Sequence, residues 1–291
     1  MTVSDIQPVS SAIPATVNCH NRVAILDCGA QYTKVIDRRV RGANIASDIF
    51  PLNTPAAKLQ DYGAIIISGG PNSVHQHSAL EYDEAIFDLD KPILGICYGM
   101  QLIAKHFGGV VQAASHQEYG ETIITISKAG LIFDNLASEQ SVLMSHGDHV
   151  TVLPPNFESL AMSSNGIQAA IRHTQKPVYG LQFHPEVDLS VHGVTMLENF
   201  LYKIADLSPD FTLDNRLETS IAEIQNRVGD KTVLTLVSGG VDSAVTTALL
   251  LKALPAKQVM ALHIDTGMMR LDESDGVCEA LKNMGDRKSV V

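Results

Sequence analysis

The sequence predicts an α/β fold, a mostly parallel sheet covered by helices with a partly antiparallel extension, and two observations predict it. From residue 23 onward, short β-branched runs alternate with helical patterns, the spacing of βαβ units. After residue 110 the alternation stops, and short strands follow one another with only turns between them.

The opening strands are expected at residues 23–28, 45–50, 64–68 and 92–96. Between them, residues 32–41 and 80–89 read as crossover helices, and 100–107 as a third that stops at Gly108 and Gly109. Strands at 110–113, 121–127, 141–144, 160–163, 168–171 and 178–183 then form a meander. A helix at 192–207, with Val194, Leu197, Phe200, Leu201 and Ile204 on one face, closes the first domain. A polar stretch, 208–215, leads through a helix at 216–228 into a new strand at 232–237, a helix at 244–254 and a strand at 260–264. The expected organisation is a disordered tail over 1–21, one domain over 22–207 and a second over 208–291.

Composition narrows the function. With 291 residues, 45% of them hydrophobic, the chain can bury one large core or two modest ones. A formal charge of -11 offers no broad positive field, so nucleic acid and membrane surfaces are poor partners, and an anionic substrate must be gripped by loops and helix ends. Cys19, Cys28, Cys97 and Cys278 form no CxxC pair or metal-ligand cluster, and no metal site is expected. His75, His77, His106, His116, His149 and His173 likewise show no ligand spacing. Neither a signal-peptide pattern nor 18 consecutive apolar residues occurs, which together with the cysteine usage points to the cytosol.

Three segments carry chemistry. Gly95-Ile96-Cys97-Tyr98-Gly99 lies on the turn between a strand and a helix, a nucleophile elbow with Cys in place of Ser; the helix N-terminus there favours a thiolate. His184-Pro185-Glu186 follows a strand. A histidine beside a thiol can take its proton, and a carboxylate on the far ring nitrogen fixes the tautomer. Ser68-Gly69-Gly70-Pro71 follows another strand, and its glycines let backbone N–H groups turn toward a substrate, with the N–H of Tyr98 as partner in an oxyanion hole. Taken singly, these are also a packing cysteine, a surface His and Glu, and a tight turn.

Taken together and in this order, the segments Ser68–Pro71, Gly95–Gln101 and Gln182–Glu186 resemble the three signatures of the class I glutamine amidotransferases. The resemblance implies a flavodoxin-like domain, a mixed sheet with helices on both faces, whose Cys97 attacks the glutamine side-chain amide, with His184 and Glu186 completing the triad. It also implies that Gly70 and Tyr98 donate the oxyanion N–H groups and that Gln101 contacts glutamine. Ser145-His146-Gly147-Asp148, expected just after a strand, resembles the segment that recognises glutamine's α-amino and carboxylate groups in the branch coupled to guanylate synthesis. For His146 alone a structural role is the alternative.

The second domain opens with Ser238-Gly239-Gly240-Val241-Asp242-Ser243 between an apolar strand and a helix beginning at Ala244. Backbone N–H groups and serine hydroxyls there form an anion cradle without the Walker lysine. The loop looks like the pyrophosphate loop of the N-type ATP pyrophosphatases, which implies an adenine-nucleotide α-hydrolase-like, Rossmann-like domain. Asp265 would sit opposite at the sheet's carboxyl edge; Thr266 stands where that family commonly has Asn.

An amidotransferase followed in one chain by this loop is similar to the glutamine-hydrolysing GMP synthetases. That implies glutamine, ATP with Mg2+, and XMP as substrates and cofactors. Only two strands follow residue 231, fewer than a doubly wound sheet needs. The second domain is therefore expected to be incomplete, and the chain a truncated form retaining at most glutamine hydrolysis. The alternatives are an amidotransferase subunit serving another synthetase, or a non-catalytic form that associates with full-length enzyme.

Overall fold

A computed structural model describes residues 19–74, 80–128, 130–265 and 267–283, with the side chains of Cys19 and residues 114–117 outside the description. The tail expected over 1–21 lies outside it up to residue 18, as do His75, His77, Thr266 and Gly285–Val291. Among the described residues the chain divides at Thr212 into two compact units.

The first unit holds a nine-stranded sheet: β1 (Arg22–Asp27), β2 (Ala46–Pro51), β3 (Ala64–Ile67), β4 (Ile93–Ile96), β5 (Val110–Ile126), β6 (Glu139–Val152), β7 (Phe157–Ser163), β8 (Gln168–His173) and β9 (Val178–Leu181). Their order is β2-β1-β3-β4-β9-β8-β7-β5-β6. The first five are mutually parallel, and the rest add antiparallel. Every residue of β3, β4 and β9 is buried, as parallel strands covered on both faces must be.

Alternation sorts these residues between two cores. Val23, Ile25, Ile66, Leu94 and Ile96 face one way, against Ile36 and Val40 of α1 (Thr33–Gly42) and Met196, Leu197 and Phe200 around α3 (Gly193–Asn199). Ala24, Leu26, Ile65, Ile67 and Ile93 face the other, against Leu102 and Ile103 of α2 (Tyr98–His106) and Phe87. At about 1.5–3 kcal/mol per fully buried aliphatic side chain, these two layers hold the unit together.

The second unit is α4 (Leu213–Val228), β10 (Val233–Leu236), α5 (Val241–Ala253), β11 (Val259–Leu262) and α6 (Glu273–Asn283). Its two strands are parallel. Two small clusters pack it: Leu250, Leu254 and Val259 against Ile221 and Ile224, and Val237, Ala261 and Leu281 against Val277.

Several expected elements change on folding. The helix expected over 80–89 is only a 3-10 turn, Glu84–Asp88, because Asp83, itself extended, turns its carboxylate to accept from Ala85 N–H at 3.1 Å and Ala56 N–H at 2.8 Å. The strands expected at 110–113 and 121–127 are one strand, β5, bent by a register shift between Ala113 and Glu118. The strand expected at 141–144 runs on to Val152 because β5 gives it a partner throughout; Ser145-His146-Gly147-Asp148 thus lies inside β6, not after a strand. The helix expected over 192–207 widens into a π-helical turn at Phe200–Ile204, and α4 starts at Leu213, where Thr212 accepts a bond from Asn215 N–H at 3.3 Å.

Candidate active site

The elbow forms because β4 ends against α2 with no room for side chains at its glycines. A Cβ at Gly95 would lie 2.5 Å from the Gly99 carbonyl group, and one at Gly99 only 2.4 Å from the Ile67 carbonyl oxygen. Between them Cys97 adopts φ 53° and ψ -104°, a conformation non-glycine residues rarely take, and caps the N-terminus of α2. Its N–H donates to the Leu181 carbonyl at 2.7 Å, which ties the elbow to β9.

His184 and Glu186 sit just past β9, on a loop rather than on the strand expected to reach residue 183. His184 Nδ1 and Glu186 Oε1 are 2.7 Å apart, with Glu186 fully buried. The imidazole and Cys97 flank Gly69, where an added Cβ would lie 3.0 Å from His184 Cε1 and 3.6 Å from Cys97 Cβ. Burial alone pushes the imidazole's pKa down, but the hydrogen bond to Glu186 and the neighbouring Cys97 thiol outweigh that and raise it to about 10. Tyr32, in the loop after β1, meets the His184 ring edge-on with centroids 5.3 Å apart.

Cys97, Tyr98, His184, Gln101, Gly70 and Ser145–Asp148 all line one cavity of about 600 Å³. Gly70 is fixed by a close backbone approach as well: a Cβ there would lie 2.5 Å from the Cys28 carbonyl oxygen. The opposite wall is β6. The Ser145 carbonyl is 3.7 Å from Cys97 Sγ, Gln101 Nε2 donates to the Asp148 carbonyl at 2.8 Å, and Ser73 Oγ donates to the Asp148 carboxylate. His146 is buried, its Nε2 3.2 Å from Glu118 Oε2, and burial pushes its pKa down despite that carboxylate.

The sequence alone marks no role for Tyr32, Ser73 or Glu118, and none for Gln182 beyond its place in a signature segment, although its Nε2 is 3.8 Å from Cys97 Sγ. Tyr32 and Ser73 follow the carboxyl ends of β1 and β3, the edge where ligands bind in parallel sheets, so position was the available signal. Glu118 carries none, because only folding brings β5 beside His146. The second cysteine nearby, Cys28, is buried, which pushes its thiol up to about 12; it is not equipped to compete as a nucleophile.

In the second unit, Ser238–Ser243 joins β10 to α5, and its last three residues already belong to the helix. Gly239 has φ +86°, and Ser243 Oγ lies 3.3 Å from Ser238 Oγ and 2.9 Å from the Gly240 carbonyl. Neither Asp242 nor Ser243 caps the helix; that position is Gly240's. Asp265 lies beyond β11, which ends at Leu262, and its carboxyl is held below the usual range by the Gly267 N–H and Ser274. Among the described residues no group of three or more His, Cys, Asp or Glu could hold a metal ion, and no helix is long and apolar enough to cross a membrane.

Comparison with known proteins follows the same division. The family Glutamine amidotransferase class-I matches residues 24–204. Over most of its length the chain is similar to glutamine-hydrolysing GMP synthases: 45% identical over 271 residues to that of Mesoplasma florum, covering 92% of this chain and 52% of the relative. Against that of Dictyostelium discoideum it is 45% identical over 285 residues, covering 92% and 40%. The chain thus spans about half the length of such relatives or less. Among solved structures, a Thermoplasma acidophilum protein provisionally described as one subunit of a GMP synthase superposes with TM-score 0.59 at 30% identity, over 64% of this chain and 94% of that one. A Thermotoga maritima glutamine amidotransferase shares the fold, at TM-score 0.54 and 20% identity.

Proposed function

The chain belongs to the class I glutamine amidotransferases, and on that premise we propose that it hydrolyses glutamine through Cys97, His184 and Glu186 and that the ammonia serves GMP synthesis. One observation carries the reading: a thiol on a strained elbow and an imidazole share one cavity, with a fully buried carboxylate 2.7 Å behind that imidazole.

The chemistry follows from these positions. Cys97 Sγ attacks the side-chain amide carbon, and the oxygen's developing charge falls to the N–H groups of Gly70 and Tyr98, the latter in the first turn of α2 where helical partners are lacking. His184, held in one tautomer by Glu186, gives its proton to the departing ammonia. Water, deprotonated by the same imidazole, then cleaves the γ-glutamyl thioester and releases glutamate. Gln101 and Ser145–Asp148 hold the amino acid's remaining groups.

For the second unit, ATP is the fitting ligand. A glycine at φ +86°, the N-terminus of α5 and the hydroxyls of Ser238 and Ser243 suit a polyphosphate. A Mg2+ carried with the nucleotide would be held chiefly by the nucleotide's own oxygens, with the carboxylates of Asp242 in the loop and Asp265 beyond β11 as further oxygen donors. Bound there, ATP would activate the 2-oxygen of XMP for displacement by ammonia, the reaction that the resemblance of this loop and of the first unit implies. A second reading, an amidotransferase subunit that works with a separate or full-length synthetase, is favoured by the similarity of the first unit to nearly all of the Thermoplasma acidophilum chain. Both readings place the reaction in the cytosol.

An assay pair tests this. Ammonia release from glutamine that vanishes in Cys97→Ala is expected; release that survives the substitution would refute the glutaminase. GMP formed from XMP, ATP and free ammonia by this chain alone would assign synthetase chemistry to it, whereas GMP formed only with an added synthetase would favour the second reading.

A further inference from the structure

We propose that Ser190 is a positioning residue that fixes His184 relative to Cys97 by tying the histidine's loop to the strand that walls the cavity. The inference rests on the reading of His184 as the proton carrier of glutamine hydrolysis.

Beyond Leu181 the chain leaves the sheet, and nothing in a regular ladder holds His184. Instead its loop runs along the outer edge of β6, the last strand of the sheet. His184 N–H donates to the Leu143 carbonyl at 3.0 Å, and Val191 N–H to the Ser141 carbonyl at 3.2 Å. Between these lies the Leu143 N–H, for which a neighbouring strand would supply a carbonyl. Ser190 supplies its hydroxyl: Oγ accepts from Leu143 N–H at 3.0 Å and donates to the His184 carbonyl at 2.6 Å. One buried hydroxyl therefore bonds both to β6 and to the peptide of His184.

The geometry links two sides of the site. Leu143 stands two residues before Ser145, whose carbonyl is 3.7 Å from Cys97 Sγ. Any shift of the loop along β6 thus changes the gap between imidazole and sulfur. Arg39 of α1 also holds the loop, its Nε donating to the Glu186 carbonyl at 2.9 Å and its guanidinium pairing with Asp188, but it acts on the acid's side of the loop rather than on the histidine. Removing the Ser190 hydroxyl leaves the Leu143 N–H and the His184 carbonyl to find other partners, and the loop has to move for them to do so. Near-attack geometry is sensitive at this scale; a displacement of about 1 Å costs up to about 100-fold in rate.

The test compares Ser190→Ala and Ser190→Thr in the intact chain, measuring kcat and KM for glutamine, the pH profile of kcat/KM and the thermal midpoint. Ser190→Ala is expected to lower kcat about 10- to 100-fold with KM within about twofold, and to move the alkaline limb of the profile to lower pH, because an imidazole pulled from Cys97 and Glu186 keeps its burial but loses the bonds that oppose it. Ser190→Thr, which keeps the hydroxyl, is expected to recover most of the rate. Unchanged kcat and pH profile in Ser190→Ala, with only the thermal midpoint lowered, would overturn the proposal and leave Ser190 a fold-stabilising residue. Equal loss in both variants with an unmoved pH profile would overturn it too. Wild-type protein without Cys97-dependent turnover would instead refute the glutaminase reading beneath it.

Discussion

The two units of this chain solve the same construction problem to different extents. Both place a glycine turn between a parallel strand and a helix and expose a helix N-terminus at the sheet's carboxyl edge. In the first unit that turn is held by nine strands, with buried side chains on both faces. In the second, two strands carry it; Leu234 and Leu236 of β10 are 57% and 62% exposed, and α4 has no buried residue. A residue held at a strained φ, as Cys97 is, needs a frame that over-determines it, and a loop proposed only to present N–H groups to phosphate does not. The first unit is therefore where chemistry is expected to be set by the described residues themselves.

That contrast can be broken most sharply at Cys97. Cys97→Ala should lower glutamine turnover on the order of 10^4-fold or more, measured as ammonia release, while leaving unchanged the ATP binding proposed for the second unit. Glu186→Gln keeps the shape but offers His184 the wrong partner, and turnover should fall on the order of 10^2- to 10^4-fold. Turnover within a few-fold of wild type in Glu186→Gln would remove the triad from the mechanism.

Stability should differ between the units in the same sense. Ile66→Ala opens a cavity in a fully buried strand and should cost about 2–5 kcal/mol by urea unfolding, whereas Leu236→Ala, at an exposed position, should cost less than about 0.5 kcal/mol. Urea should unfold the second unit first, seen by hydrogen exchange as early loss of protection in β10 and β11 while β3 and β4 stay protected. A single transition covering both would show the units to be energetically coupled.

The remaining comparison is the pH dependence. Because His184 is raised in the folded protein from 6.5 to about 10, its contribution to stability is complete below about 6.5 and is lost as pH rises through about 10. The first unit's unfolding midpoint should decline across that window, and Glu186→Gln should flatten the decline.

Much of this is legible before folding, and the reason is local. An elbow needs Gly95 and Gly99 because neighbouring backbone occupies the space of a Cβ, so its sequence is constrained and readable. The strands that flank it are wholly apolar for an equally simple reason. What escapes depends on contacts between distant segments. The apolar residues at 80–89 suggest a helix, yet Ile86 and Phe87 are buried by a short turn that Asp83 anchors to Ala56. Ser145–Asp148 reads as a loop because nothing in it announces a strand; β5 makes it one. Glu118 accepts bonds from Ser163 and Asn165, both at 2.8 Å, as well as facing His146, and no spacing in the sequence relates these four residues.

The most direct measurement is covalent labelling of the intact chain with a chloroketone analogue of glutamine, the modified residue being located by peptide mass spectrometry. One equivalent of label on Cys97, slowed by free glutamine and by His184→Ala, is the predicted result. Label distributed over Cys28 and Cys278, or label on Cys97 indifferent to glutamine, would contradict a glutamine-shaped site built around that thiol.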